Sequence, residues 1–188
     1  IAVVPSSFTC ANVGANTVTL TVTDANGNTA DCSATVTVID SVAPTAVCQD
    51  VTVYLDGSGN ATITAGDIDN GSTDNCSVAG IAVTPSSFNC SNIGANTVTL
   101  TVTDANGNTA DCSATVTVND TVSPTPDLAA LADVNAECEV TSLTAPTATD
   151  NCGTVTVTSD ATLPISTQGT TVVTWTYDDG NGNTTTQT

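Results

Sequence analysis

Threonine alternates with aliphatic residues along much of the chain, and this alternation indicates β-strands. Within Thr97–Thr103, Val98, Leu100 and Val102 alternate with threonines, and Ser113–Val118 repeats the pattern. A period of two places the aliphatic side chains on one buried face of a strand and the threonines on the other face. No segment shows the 3.6-residue period of an amphipathic helix. The pattern predicts an all-β protein.

Turn sequences separate these predicted strands. Asp104–Asn108 reads Asp-Ala-Asn-Gly-Asn, and its Gly107 is free to adopt a positive φ. Earlier in the chain, Asp56–Asn60 separates predicted strands over 47–55 and 61–64. Six or seven short strands in about 80 residues are typical of an immunoglobulin-like β-sandwich.

The sequence is internally repeated. Residues 1–40 and 81–120 are identical at 35 of 40 positions, which gives a period of 80 residues. A divergent third copy follows, in which Asn181–Thr184 repeats Asn106–Thr109 at an offset of 75. We therefore predict the end of one repeat at 1–41, a complete repeat at 42–122 and a divergent, nearly complete repeat at 123–188. A segment as short as 1–41 cannot bury a core alone, so we expect upstream chain or a neighbouring molecule to complete its sheet.

The charge of the chain excludes several functions. It contains no Lys, Arg or His and 19 acidic residues, for a formal net charge of −19. Nothing in it can neutralise phosphate, so nucleic acid and acidic membrane surfaces are excluded as direct partners. Only carboxylates remain for acid–base chemistry, which makes an enzyme a poor interpretation. Disorder is also excluded, because 39% of the residues are hydrophobic and they recur with a period of two.

The cysteines predict disulfide bonds and an oxidising compartment. There are eight of them, with no His to share a zinc site and no Cys-x-x-Cys spacing. In the complete repeat, Cys48 opens the first strand and Cys112 lies on the last, and these strands are neighbours in an immunoglobulin-like sandwich. We therefore favour Cys48–Cys112 with Cys76–Cys90. The alternative is Cys48–Cys76 with Cys90–Cys112.

Pairings are also predicted for the other four cysteines. The third repeat keeps only Cys138 and Cys152, which are predicted to pair. In the favoured scheme Cys10 and Cys32 have partners upstream of residue 1, and in the alternative they bond each other.

Acidic residues recur where predicted loops and linkers meet. Asp74 and Asp104 lie in two loops at one end of the sandwich, and this end also receives the linker that carries Asp40, with Asp67 and Asp69 close by. The next junction repeats the arrangement with Asp120, Asp150 and Asp179. Ca²⁺ takes six to eight oxygen ligands of the kind such loops supply, so we predict calcium at both junctions. The alternative is that these residues are turn formers with solvated charges.

The few aromatic residues are predicted to be core residues. Trp175 and Tyr177 fall on the aliphatic, buried positions of the repeated strand pattern. Phe8 and Phe88 are predicted to fill the core as well. An exposed Trp could instead be a platform for sugar stacking, but its phase in the strand favours packing.

Three segments carry a family resemblance. Thr73–Cys76, Val98–Thr109 and Cys112–Val118 resemble hyalin-type (HYR) repeats, and in particular the repeat arrays of gliding-bacterium surface adhesins exported by the type IX secretion system. The resemblance implies an immunoglobulin-like fold, an extracellular location on a bacterial surface, and a role in adhesion or filaments. It also implies O-glycosylation at Ser41 and Thr121, because Asp-Ser/Thr-aliphatic is the pattern used in such bacteria.

These observations predict a stalk or fibre segment of a large secreted adhesin, rigidified by calcium. The flat outer faces with Thr99, Thr101, Thr115 and Thr117 permit self-association or contacts between neighbouring repeats, while a surface glycan or another cell-surface ligand would be held at a distant tip. Two alternatives are a repetitive polysaccharide-binding array and an accessory module of a secreted hydrolase. No insertion into a membrane is expected.

Overall fold

The computed structural model describes residues 1–188 and contains fourteen strands and one short α-helix, α1 (Ala65–Ile68). The predicted all-β class is confirmed. The sheets follow one another along the chain, and no strand pairing crosses residue 41 or 122. No helix is long and apolar enough to cross a bilayer.

The complete repeat, which we call repeat two (42–122), is a sandwich of two layers. Its strands are β4 (Val51–Tyr54), β5 (Asn60–Thr62), β6 (Val78–Thr84), β7 (Ser87–Asn89), β8 (Gly94–Asp104) and β9 (Thr109–Asn119). One sheet has the order β4-β9-β8-β6, and β5 pairs with β7 in the second layer. β4 runs parallel to β9 and the other pairs are antiparallel. This places an early strand beside the last one, as the immunoglobulin-like interpretation requires.

The core of repeat two follows from the alternation on β8 and β9. Val98, Leu100 and Val102 are fully buried, as are Val116 and Val118. These side chains pack against a second set of buried residues, which are Leu55, Ile63, Ile68 and Phe88. The intervening threonines lie on the outer face of the sheet, because successive side chains of a strand point to opposite faces.

The third unit, repeat three (123–188), has the same strand register as repeat two but different side chains. Its strands are β10 (Thr125–Pro126), β11 (Ala148–Thr149), β12 (Thr156–Ser159), β13 (Trp175–Asp178) and β14 (Thr184–Gln187). Trp175 pairs with Gln187 as Leu100 pairs with Cys112, which is an offset of 75 on both strands. Tyr177 is fully buried, as predicted. Trp175 is only half-buried and lines a cavity of about 410 Å³.

One disulfide staples repeat two internally, and repeat three replaces it with hydrogen bonds. Cys48 is bonded to Cys112, which is the pairing predicted from the adjacency of their strands. In repeat three, Gln187 stands at the position of Cys112. Its amide nitrogen donates to the Leu128 carbonyl at 2.8 Å, and its amide oxygen accepts from the Tyr177 hydroxyl at 2.7 Å. Hydrogen bonds of Gln187 therefore link the segment at Leu128 to β13 and β14, where repeat two has a covalent bond.

The first unit, repeat one (1–41), forms a three-stranded sheet without a covering layer. β1 (Ala2–Val4), β2 (Gly14–Thr23) and β3 (Thr29–Val38) lie in the order β1-β2-β3. Leu20 is half-buried and Val22 is 43% exposed, although their counterparts Leu100 and Val102 are fully buried. Phe8 is likewise half-buried. The sequence of the strands is nearly the same, so the difference in burial comes from the missing second layer.

Candidate functional site: the junctions between repeats

Each junction is the place where the linker after one repeat meets two loops of the next. The first junction consists of the linker residue Asp40 with the loops Thr73–Cys76 and Asp104–Asn108. The second consists of Asp120 with Thr149–Cys152 and Asp179–Asn183, and it uses the corresponding residues of the next repeat.

A disulfide crosses each junction. Cys10 of repeat one is bonded to Cys76 of repeat two, and Cys90 of repeat two is bonded to Cys152 of repeat three. Both have a Cα–Cα distance of 5.3 Å. Cys10 and Cys90 are equivalent residues that open 3-10 turns, so the two bonds are one motif used twice.

The predicted Cys76–Cys90 pairing is wrong. β6 and β7 lie between these two cysteines and carry the chain from one end of repeat two to the other. A seven-residue strand such as β6 spans about 23 Å, which far exceeds the reach of a disulfide. Cys76 therefore faces repeat one, and Cys90 faces repeat three. The alternative scheme, with Cys48–Cys76 and Cys90–Cys112, is also wrong, because both of its pairs involve cysteines bonded elsewhere.

The predictions for the remaining cysteines are corrected as well. Cys152 is bonded across the junction, so it does not pair with Cys138. Cys10 has its partner downstream and is not bonded to Cys32. Cys32 and Cys138 are exposed free thiols, so neither forms the disulfide assigned to it. Cys10 recurs as Cys90 and Cys76 recurs as Cys152, so the two junction bonds join equivalent pairs of cysteines.

The turn between β4 and β5 of repeat two docks on the second junction. The turn between β4 and β5 places the Asp56 carbonyl where it accepts a hydrogen bond from the Asn151 amide at 3.0 Å. Gly59 has φ +73° and lies directly beneath the disulfide, so that a Cβ there would be 2.5 Å from the Cys90 sulfur. It would also be 3.0 Å from the Asn151 carbonyl oxygen. Only glycine fits this contact.

Asparagine side chains hold the linker at the first junction. The Asn108 amide donates to the Asp40 carbonyl at 3.2 Å, and the Asn106 amide donates to the Asp40 carboxylate at 3.0 Å. The side-chain amide of Asn75 lies beside Asp40 and Asp74. Sequence reasoning treated these asparagines only as turn formers, and it missed their role across the junction.

The second junction repeats this clamp. Asn183 donates to the Asp120 carbonyl at 3.3 Å, and Asn181 donates to the Asp120 carboxylate at 3.4 Å. Asn151 also donates to the Asp120 carboxylate, at 3.3 Å. These hydrogen bonds join the linker that follows one repeat to the loops of the next repeat. They therefore restrict rotation between the two repeats.

The second junction brings together the three carboxylates predicted for it. One oxygen from each of Asp120, Asp150 and Asp179 lies within 4.8 Å of the others. Asp120 and Asp179 are each only 6% exposed. The Oδ1 atoms of Asp150 and Asn151 are buried and receive no hydrogen bond. This cluster of oxygen atoms, with no cationic side chain in the protein, has the chemistry of a site for a hard divalent cation.

The first junction brings together fewer of its predicted ligands. Asp40 and Asp74 lie within 4.8 Å of each other and of the Cys76 sulfur, but that sulfur is already in a disulfide. Asp104 lies outside this group. Asp67 caps α1 through Thr64, and Asp69 accepts from the Ser72 backbone, so neither acts at the junction.

Asp104 and Asp179 organise their own turns. Asp179 accepts from the backbone N–H groups of Asn181 and Asn183 at 2.7 and 3.0 Å, and from the Asn183 side chain at 2.7 Å. Burial acts to raise the pKa of Asp179, but these hydrogen bonds outweigh it and hold the pKa below its ordinary value of 3.8. The pKa of Asp104 is lowered in the same way, by Asn108 and Asn106 against burial.

These lowered pKa values predict a loss of stability in acid. A carboxyl group whose pKa is lower in the folded state stabilises the fold fully above its unfolded pKa, and this contribution disappears as the pH falls through the folded pKa. We expect Asp104 and Asp179 to raise the Tm above about pH 4 and to lose this contribution at lower pH. In the Asp104→Asn/Asp179→Asn variant the fall in Tm should be smaller, and an identical acid profile for both proteins would contradict the assignment.

The remaining predicted residues lie on the surface. Ser41 and Thr121, the positions that the resemblance implies for O-glycosylation, are exposed in the two linkers. Both are accessible to modification.

Comparisons with known proteins add little to this description. No family model and no curated protein matches the sequence. Among solved structures, the chain is similar to mouse clustered PcdhgC3 EC1-3, with 10% identity, a TM-score of 0.37, and coverage of 92% of this chain and 74% of that one. A similarity at this level assigns no function.

Proposed function

We propose that this chain is a segment of an extracellular stalk, a row of immunoglobulin-like repeats coupled end to end. The observation that carries the proposal is the pair of disulfides that cross the junctions, Cys10–Cys76 and Cys90–Cys152. Independent binding modules on flexible linkers have no need of covalent coupling between neighbours. Coupled repeats form a stiff spacer, and disulfides are the usual staples of proteins outside the cell.

The burial pattern supports a stalk over a repetitive ligand-binding array. An array requires the same pocket in each repeat. The half-buried Trp175 lines a cavity in repeat three, but the equivalent Leu100 of repeat two is fully buried. The cavity is therefore not a repeated feature. In the setting that the hyalin-type resemblance implies, the stalk projects from a bacterial surface, is glycosylated at Ser41 and Thr121, and holds its ligand at a distant tip.

Small-angle X-ray scattering of the 188-residue chain tests the stalk. We expect an elongated particle with little interdomain flexibility. The Cys90→Ser/Cys152→Ser variant removes one junction bond without leaving an odd thiol, and it should be more flexible. A wild-type chain that is as flexible as this variant would contradict the proposal.

We further propose that Ca²⁺ binds at the second junction and stiffens it. Asp120, Asp150 and Asp179 supply three carboxylates, and the buried Oδ1 of Asp150 lacks any other partner. Without a cation, the negative charges of the cluster repel one another in a place that water reaches poorly. A bound cation would convert this repulsion into an attraction between the linker and both loops of repeat three.

Calcium titration by calorimetry gives a direct test. At a calcium concentration a hundredfold above Kd, binding should stabilise the folded chain by about 2.7 kcal/mol. In Asp150→Asn the oxygen that accepts from the Cys152 backbone can remain, while affinity should fall on the order of tenfold. Asp111→Asn makes the same charge change at an exposed strand position and should leave the affinity unchanged. Equal effects of the two substitutions would show that calcium only screens the net charge.

A further inference from the structure

The two junction disulfides form a continuous covalent route through the molecule. The first enters repeat two at Cys76, and the second leaves it at Cys90. A pulling force can therefore pass from Cys10 to Cys76, along the backbone to Cys90, and across to Cys152. We propose that this route is a strap that carries tension along the stalk and bypasses β4, β5, β8 and β9 of repeat two. The inference deepens the stalk function proposed above and rests on it for its biological use.

The strap shortens the path between the ends of the chain. It consists of nine residue steps from residue 1 to Cys10, fourteen from Cys76 to Cys90, and thirty-six from Cys152 to residue 188. Fully extended, this route measures about 200 Å, compared with about 640 Å for the chain without disulfides. Residues 11–75 and 91–151 hang from the strap as closed loops, so pulling on the ends of the chain cannot extend them.

The strap has little slack within repeat two. Most of the backbone from Cys76 to Cys90 is β6 and β7, which are already extended strands. A strand rises about 3.3 Å per residue, close to the limit for any chain. The segment runs from the end of the repeat that faces repeat one to the end that faces repeat three. It therefore becomes taut before β8 and β9 must separate.

The internal staple of repeat two is not part of this route. Cys48 and Cys112 each lie in one of the two closed loops, and their bond joins those loops to each other. Opening it leaves the path through Cys76 and Cys90 unchanged. This difference separates a strap from a general stiffening by disulfides, and it supplies a matched control.

Single-molecule force spectroscopy on the full chain, pulled from its two ends under oxidising conditions, tests the strap. We expect the stretched wild-type chain to reach a contour length of about 200 Å. In Cys90→Ser/Cys152→Ser, the shortest route returns through the Cys48–Cys112 bond, and the contour length should rise to about 390 Å. Cys48→Ser/Cys112→Ser should remain at about 200 Å, even if its repeat unfolds more readily.

A wild-type contour length near 640 Å without reductant would overturn the strap, as would a large increase in the Cys48→Ser/Cys112→Ser variant. These outcomes are distinct from failure of the stalk. If scattering shows a flexible chain while the contour length stays at about 200 Å, the strap stands and the rigid stalk fails. If scattering shows a rod but the contour length is about 640 Å, the repeats are aligned without a strap.

Discussion

Gly59→Ala is expected to open the Cys90–Cys152 disulfide. The added methyl group would lie 2.5 Å from the Cys90 sulfur and 3.0 Å from the Asn151 carbonyl oxygen, and φ +73° is unfavourable for alanine. The turn between β4 and β5 and the disulfide cannot both keep their positions. Loss of a bond that closes a 62-residue separation costs up to about 4 kcal/mol. Mass spectrometry after alkylation should show two new thiols per chain, together with a lower Tm.

Gly57→Ala is the matched control for this substitution. Gly57 belongs to the same turn, but a Cβ there meets no atom within 4 Å. It should leave the thiol count and the Tm at their wild-type values. A wild-type thiol count in Gly59→Ala as well would show that this turn does not dock against the disulfide.

Leu100→Ala should destabilise repeat two by about 3–4 kcal/mol. Leu100 is fully buried at the centre of the core, so its truncation loses apolar burial and leaves a cavity. Because residues 14–38 and 94–118 are identical, hydrogen exchange measured by mass spectrometry distinguishes the two repeats only on peptides that include a differing position, such as Val13/Ile93 or Ile39/Asn119. Peptides from β8 and β9 should exchange faster, while those from β2 and β3 should not change.

Leu20→Ala makes the same chemical change in nearly the same sequence. Leu20 is half-buried because the sheet of repeat one has no covering layer. We expect Leu20→Ala to lower the free energy of unfolding by no more than about 1 kcal/mol. Equal losses at the two leucines would mean that repeat one is covered in solution, for instance by a second copy of the chain.

The fold could be predicted from the sequence because it depends mainly on local sequence patterns within each strand and turn. The alternation of threonine with Val98, Leu100 and Val102 fixes which face of β8 is buried, and the Asp-Ala-Asn-Gly-Asn turn fixes where β9 begins. Because the sequence repeats, the same strand register is expected in repeats one and three. Trp175 followed this register and yet is half-buried, since burial depends on what covers a strand and not on its phase alone.

The junctions were only partly predictable, because their contacts are between repeats. Asp120, Asp150 and Asp179 were grouped correctly from the loop positions that an immunoglobulin-like sandwich implies. The disulfides were assigned within repeats, although strands β6 and β7 separate Cys76 from Cys90 by the length of the domain. Equivalent cysteines at a fixed period are compatible with bonds within repeats or between them, and spacing alone does not decide between these.

Disulfide mapping of the intact, non-reduced chain is the most direct test of repeats coupled through their junctions. Cleavage before aspartates and after aromatic residues places all eight cysteines on separate peptides, because Phe88 lies between Cys76 and Cys90. The structure predicts linked peptides for Cys10–Cys76, Cys48–Cys112 and Cys90–Cys152, with alkylated thiols at Cys32 and Cys138. Linked peptides for Cys76–Cys90 or Cys138–Cys152 would contradict it, since each repeat would then be closed on itself with no covalent coupling to its neighbour.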